Sequence, residues 1–187
     1  MEDLSLHILD ISQNSIRAGA REIGITVEED QHENRLRFTI RDDGCGMTPD
    51  QLERLSDPFF TTRTTRRVGL GIPLLKQTAE LAGGGVTITS RVGEGTTVTA
   101  EYELDHIDRP PLGDVAATIW TLIVLNPQVE FSYRHRVDGD VFEIDTAALK
   151  KLMKTKTVNT PKLAAALKQY IREGEERLRR RAAGEVK

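Results

Sequence analysis

The 187-residue chain has a single cysteine, Cys45, which excludes an internal disulfide and any multi-cysteine metal site and agrees with a reducing compartment. A bound metal is expected on oxygen ligands. Long apolar runs are also missing: the longest uncharged one, Val115 to Leu125, has 11 residues, about half of what a membrane-spanning helix needs. No segment is expected to cross a bilayer. The opening MEDLSLHILD carries acids where a secretory signal carries positive charge, so a cytoplasmic protein is expected. Neither an internal repeat nor a low-complexity tract is visible, and with 38% hydrophobic residues and 15 glycines the composition is that of an ordinary globular protein.

Charge is unevenly spread. The formal net charge is −3, but residues 1–149 hold 14 Lys and Arg against 25 Asp and Glu, whereas residues 150–187 hold 12 against 4. An acidic body of net −11 thus carries a tail of net +8. Such polarity suits a solvated helix face, an acidic protein contact or nucleic acid; the acidic body would repel phosphates, which ranks nucleic acid last among the three.

Leu4, Ile8, Ile11 and Ser15 recur at helical spacing, and the pattern stops at Gly19, which predicts an amphipathic first helix. Alternating apolar residues predict strands over 22–27 and 35–40 joined as a hairpin. Thr48-Pro49 predicts the start of a short helix over 49–55. A second long helix is expected over 70–82, followed by strands over 86–91 and 96–104. This order predicts an α+β fold, a two-layer sandwich with helices on one face of a mixed sheet. Beyond Leu104 the pattern changes. DHIDRPPLGD reads as a linker, 115–125 as a buried helix or strand, 130–136 and 141–144 as a hairpin around Asp138-Gly139, and 146–153 as a helix. The expected organisation is therefore a domain over 1–104, a small α/β extension over 105–160 and a basic helix over 161–187. The thin stripe Leu163, Leu167, Tyr170 and Ile171 on that helix is expected to pack on its own domain or on a partner helix.

Three motifs carry chemistry. Asp10, Asn14 and Arg17 share one helix face, a set able to orient a nucleophile, ligate Mg²⁺ and bind phosphate; the wet side of any amphipathic helix also looks like this. Asp42-Asp43-Gly44-Cys45-Gly46-Met47 follows a strand, so its glycines would let backbone approach a flat ligand while an acid accepts from an amine; a tight turn with a fortuitous acid fits too. Gly69-Leu70-Gly71 opens a helix just after Arg63, Arg66 and Arg67, where free N–H groups favour phosphate. It is neither a Walker loop, since GxxxxGK[ST] is absent, nor a dinucleotide fingerprint, since Leu74 stands where the third glycine would be.

Taken in order, ILDISQNSIRAGA, DDGCGM, DPFFTT, GLGIPLLK and RVGEGTTV resemble the N, G1, F and G2 boxes and closing Gly-Thr motif of the GHKL superfamily. These are the Bergerat-fold ATP-binding proteins that include gyrase B, the ninety-kilodalton heat-shock chaperones, sensor histidine kinases and MutL. The resemblance covers about residues 4–104, and its layout is similar to histidine kinase catalytic domains and to stand-alone anti-sigma serine kinases. It implies ATP and Mg²⁺ as cofactors. By that resemblance Asn14 would ligate Mg²⁺, Arg17 would reach a phosphate, and Asp10 would stand where many members have a water-orienting Glu. Asp42 would bind the adenine amine, Gly44, Gly46 and Met47 would shape the pocket, and Thr96 would support the adenine end. Phe59, Phe60, Thr61, Thr62 and Arg63 would belong to the lid, and Gly69, Leu70 and Gly71 would cradle phosphate. Two positions depart from the pattern: Arg67 replaces the first lid glycine, and Asp10 is one methylene shorter than Glu.

Of the four histidines, His106 echoes the family phosphoacceptor pattern but lacks the following acid and lies behind the ATP domain. His7 is expected to pack at the helix edge, and His32 and His135 are expected to lack partners. The resemblance implies an ATP-binding regulator acting with a protein partner, as a slow protein kinase or ATPase, and a homodimer is a further expectation. The alternatives are a non-catalytic ATP-gated switch and a nucleic-acid-associated ATPase.

Overall fold

The computed structural model describes residues 3–55 and 71–185. Phe59, Phe60, Thr61, Thr62, Arg63, Arg66, Arg67, Gly69 and Leu70 lie outside the described residues.

Helix α1 spans Leu4–Arg17 and buries Leu4, Ile8, Ile11 and Ser15, the stripe expected from spacing. Asp3 caps it by accepting from the Leu6 amide, and the chain leaves it through Gly19 at φ 78, a left-handed turn that glycine enters freely. Strands β1 (Glu22–Asp30) and β2 (Arg35–Asp42) pair antiparallel from Ile23↔Asp42 to Asp30↔Arg35. β1 therefore runs past Val27, because pairing continues although its outer residues are no longer apolar. Helix α2 (Pro49–Arg54) starts with a reciprocal capping box between Thr48 and Gln51, which satisfies two orphan amides at once. Helix α3 (Gly71–Leu81) and strands β3 (Gly85–Arg91) and β4 (Gly95–Glu103) follow.

Residues 115–125 form a helix, α4 (Val115–Leu125), capped by Asp114. Then come the hairpin β5 (Glu130–Val137) and β6 (Asp140–Asp145), helix α5 (Thr146–Leu152) and helix α6 (Pro161–Ala182). The hairpin turns through Asp138 at φ 52, a position Asp tolerates.

All six strands form one sheet in the order β3-β4-β2-β1-β5-β6. β5 lies parallel to β1, from Glu22↔Glu130 to Glu29↔Val137, and every other pair is antiparallel. The extension thus lengthens the sheet of residues 1–104 and shares its core. Inward side chains alternate along each strand: Ile23, Ile25 and Val27 on β1, Leu36, Phe38 and Ile40 on β2, Phe131 and Tyr133 on β5. Helices α1, α3, α4 and α6 cover that face, and each fully buried large side chain contributes roughly 1.5–3 kcal/mol.

The segment read as a linker is pinned. Pro111 and Leu112 carbonyls accept from the amides of Leu4 and Ser5 at 2.9 Å, so residues of the extension satisfy the open N-terminus of α1. Helix α6 packs on its own domain, burying Ala164, Leu167, Ile171 and Leu178, with the Trp120 indole donating to the Ala164 carbonyl at 2.8 Å.

His135 corrects the expectation of a partnerless histidine. Its side chain is fully buried, Nδ1 lies 2.7 Å from Glu175 on α6, and Nε2 lies 3.0 Å from Glu29 on β1. Tyr133 donates to the other Glu175 oxygen at 2.8 Å. Only an imidazolium can donate to two carboxylates at once. Although burial alone would depress its pKa, the bonds to Glu175 and Glu29 outweigh that and raise it to about 9. The partners are 106 and 40 residues away in sequence.

Candidate functional site

At the end of β2 the backbone delivers two adjacent aspartates to different tasks. Asp42 is 8% exposed and points toward α1, where the Ser15 hydroxyl sits 2.5 Å from Oδ2. Its Oδ1 accepts from the amides of Gly44 at 2.9 Å and Thr96 at 3.2 Å. A carboxylate offers about four lone-pair directions, and three are taken by these donors. Asp43 turns the other way, and Oδ1 accepts from the amides of Arg21 at 2.7 Å and Glu22 at 2.9 Å. The Glu22 amide is the main reason its pKa is lowered. Asp43 ties the loop to the start of β1, whereas Asp42 turns inward toward α1 and β4.

The loop after Asp42 lies against α1 and the β3–β4 turn. The Cys45 amide donates to the Ala18 carbonyl and the Gly93 amide to the Cys45 carbonyl. A Cβ at Gly46, which has φ +67, would fall 1.9 Å from the Arg91 carbonyl oxygen, and one at Gly44 would fall 3.0 Å from the Ala18 side chain. Gly46 is therefore required by close backbone approach, and Gly44 sits in tight contact with Ala18. The Met47 amide donates to Ser90 Oγ at 2.9 Å, and that hydroxyl also bonds the Gly95 carbonyl and lies 2.9 Å from Thr96 Oγ1.

On α1, Asp10, Asn14 and Arg17 are all exposed, on the turns that precede and follow buried Ile11 and Ser15. Arg17 donates to Asn14 Oδ1 at 3.1 Å. The guanidinium and the amide oxygen are thus neighbours, as i and i+3 residues should be. Gly71 begins α3, and a Cβ there would meet no described residue within 4 Å.

The structure brings Asp42, Gly44, Gly46, Met47 and Thr96 together around one loop, with Asn14 and Arg17 on the helix whose Ser15 touches Asp42. Ser15, Ser90 and Asp43 were not among the expected site residues. Ser15 reads as one more position of the apolar stripe, and its polarity there was the available signal. The expected residues from Phe60 to Leu70 lie outside the described ones. Among the described residues no cluster of three or more His, Cys, Asp or Glu could hold a metal, and no helix is long and apolar enough to cross a membrane.

Asn14 on α1, Asp42 at the end of β2 and the glycine turns beside it stand in the order of the GHKL motifs. Residues 2–106 match the family described as histidine kinase-, DNA gyrase B-, and HSP90-like ATPase, more than half of the chain, and the chain belongs to that family. Over 103 residues it is 35% identical to an uncharacterized sensor-like histidine kinase of Rhizobium meliloti, covering 52% of this chain and 20% of that one. It is 33% identical over 96 residues to the histidine protein kinase DivJ of Caulobacter vibrioides, covering 49% and 16%, and 36% identical over 93 residues to the sensor histidine kinase ZraS of Salmonella typhi, covering 49% and 20%. The matched segment is about one fifth of these relatives' length. The chain's fold is also that of the N-terminal domain of a DNA repair protein, at a TM-score of 0.57 and 17% identity over 77% of this chain and 52% of that one.

Proposed function

We propose that the chain binds Mg²⁺-ATP between α1, the loop after Asp42 and the β3–β4 turn, and transfers the terminal phosphoryl slowly to water or to a hydroxyl or imidazole of a protein partner. The observation that carries this is the buried Asp42 carboxylate, held by Ser15, Gly44 and Thr96 with one acceptor direction left over. An adenine amine supplies the missing donor, and Gly46 lets the loop beside Asp42 pack closely on the Arg91 backbone. The donor set fits a magnesium site of the usual nucleotide kind, in which one or two protein oxygens are completed by phosphate and water. Asn14 Oδ1 would hold the ion, which when bound neutralises phosphate charge.

In this reading Arg17 leaves Asn14 and pairs with a phosphate oxygen, and Asp10 accepts the proton of the attacking group as it becomes bonded to phosphorus and ADP departs. Gly69, Leu70 and Gly71 and the lid residues Phe60, Thr61, Thr62 and Arg63 complete the phosphate end. A cytoplasmic location and a protein partner, with homodimerisation as a further possibility, belong to the same proposal. A single-turnover assay with terminally labelled ATP, with and without proteins that co-purify with the chain, tests it. Labelled phosphate or a labelled partner is expected; neither appearing would leave a nucleotide-gated switch in place of the enzyme.

A further inference from the structure

The sheet has two edges. α2 lies against β3, whereas no strand among the described residues pairs with the outer side of β6. Between β6 and α6 runs a groove of about 140 Å³ whose lining includes Phe142, Tyr170, Glu173, Gly174, Arg177 and Arg181. The rings of Phe142 and Tyr170 lie 5.8 Å apart along it, and Tyr170 is 51% exposed. Gly174 lets the helix sit close, since a Cβ there would fall 2.1 Å from the Phe142 ring.

The charges along this edge are mixed. On the helix, Glu173 and Arg177 are exposed, and neither is in an ion pair with another described residue. Glu173 Oε1 accepts from Gln169 at 2.7 Å, which leaves Oε2 for a cation. The strand carries Asp140, Glu143 and Asp145. An acidic occupant would meet these acids and a basic one would meet the arginines, so the occupant must present both signs in matching order.

We infer that the occupant is a second copy of this chain, its β6 antiparallel to β6 about a two-fold axis that sets Phe142 opposite its own copy. An isologous interface needs a self-complementary surface, and this edge is one. Opposite residues of an antiparallel pair share a face of the sheet. Asp140, Phe142 and Ile144, the more buried positions of the alternation, lie on the α6 face, and Val141, Glu143 and Asp145 lie on the open face. With Phe142 opposite its copy, Asp140 meets Ile144, Val141 meets Glu143, and no acid directly faces an acid. A register centred on Glu143 would set that acid against itself. Glu143 comes diagonal to its copy at about 7–8 Å, and each is already paired with Arg134 at 2.6 Å.

The helices fit the same axis. α6 packs on both β5 and β6; with strands about 4.8 Å apart, the two copies of α6 come to lie about 10 Å apart, the separation of packed helices. They run antiparallel. Gly174 marks the level of the axis through its contact with Phe142, and Glu173 and Arg177 lie on either side of it, so Glu173 of each copy stands opposite Arg177 of the other. This surface rests on the homodimer put forward above and not on nucleotide: β2, which ends in Asp42, lies three strands in from this edge.

Sedimentation equilibrium of the full chain, with amide hydrogen exchange, tests the assignment. A dimer is expected, with exchange in β6 slowing as the dimer fills. Arg177→Glu should weaken dimerisation by about tenfold or more, as should Glu173→Arg, because each sets like charges together. Both residues are exposed, so circular dichroism should show an unchanged monomer fold. The exchanged double variant Glu173→Arg, Arg177→Glu should return the dimer to within about threefold of the wild type. A dimer with unprotected β6, one undiminished by the single variants, or one not restored by the exchange would overturn this surface and leave homodimerisation standing. A chain that stays monomeric would overturn both, also where a co-purified protein protects β6 in place of a second copy.

Discussion

The hydroxyl of Ser15 lies 2.5 Å from Oδ2 of Asp42, a contact between the first helix and the end of the second strand across 27 residues of sequence. With the Gly44 and Thr96 amides on the other oxygen, the carboxylate is fixed as an acceptor before any ligand arrives. Adenine offers it an amine where guanine offers a carbonyl, so ATP should bind in preference to GTP. Asp42→Asn should weaken ATP by about 1–3 kcal/mol, the range for a hydrogen bond to a charged group, and Ser15→Ala by about 1 kcal/mol, because two amide donors remain. Calorimetry with both nucleotides checks this, and equal affinities would refute the pocket.

Arg17 and Asn14 share a hydrogen bond of 3.1 Å, so the two should separate when phosphates and metal are present. Asn14→Ala is expected to remove the Mg²⁺ dependence of ATP binding. Arg17→Ala should keep that dependence but weaken ATP by about 1–3 kcal/mol with adenosine affinity unchanged. Titrations of ATP and adenosine with and without Mg²⁺ distinguish these; an equal loss for adenosine would place Arg17 outside the phosphate end.

Local signals carried the sequence reading far in residues 4–104, because helices and hairpins there are set by neighbouring residues. The stripe Leu4, Ile8, Ile11 and the alternation of β1 and β2 appear in the structure as expected. The family resemblance put Thr96 beside Asp42, and in the structure the Thr96 amide donates a hydrogen bond to Asp42 Oδ1 at 3.2 Å. Contacts between distant segments were not legible. Nothing in Glu130–Val137 announces parallel pairing with Glu22–Glu29, and nothing beside His135 points to Glu29 or Glu175. The tail's net positive charge likewise hides a helix whose Glu175 is buried, since a helix face turned inward leaves its arginines to dominate the count.

Asp10 separates a catalyst from a switch. It is exposed on the same helix as Asn14 and has no described hydrogen-bond partner to divert it. Asp10→Asn should hold ATP affinity within a few-fold while cutting turnover about 10²- to 10⁴-fold, the usual contribution of a general base. Single-turnover rates and binding constants measured on the same preparation check it. Equal turnover in variant and wild type would remove Asp10 from the chemistry.

The imidazolium of His135 joins three elements, β1 through Glu29, β5 through its own strand and α6 through Glu175. Its pKa is raised from 6.5 to about 9, so its stabilisation is fully present below about pH 6.5 and is lost as pH rises through about 9. The span corresponds to roughly 3 kcal/mol. Burial opposes the charge of Glu29, but the His135 bond lowers its pKa below 4.5; that contribution is present above pH 4.5 and lost on acidification. Stability from this cluster should therefore be greatest between about pH 4.5 and 6.5. Arg179 also acts on Glu29 and keeps its charge throughout. Urea unfolding at pH 6, 8 and 9.5 should show the alkaline decline in the wild type, whereas His135→Gln should cost about 3–5 kcal/mol at pH 6, by stranding two carboxylates, and flatten it. Retention of the same alkaline slope in His135→Gln would assign the decline to another group.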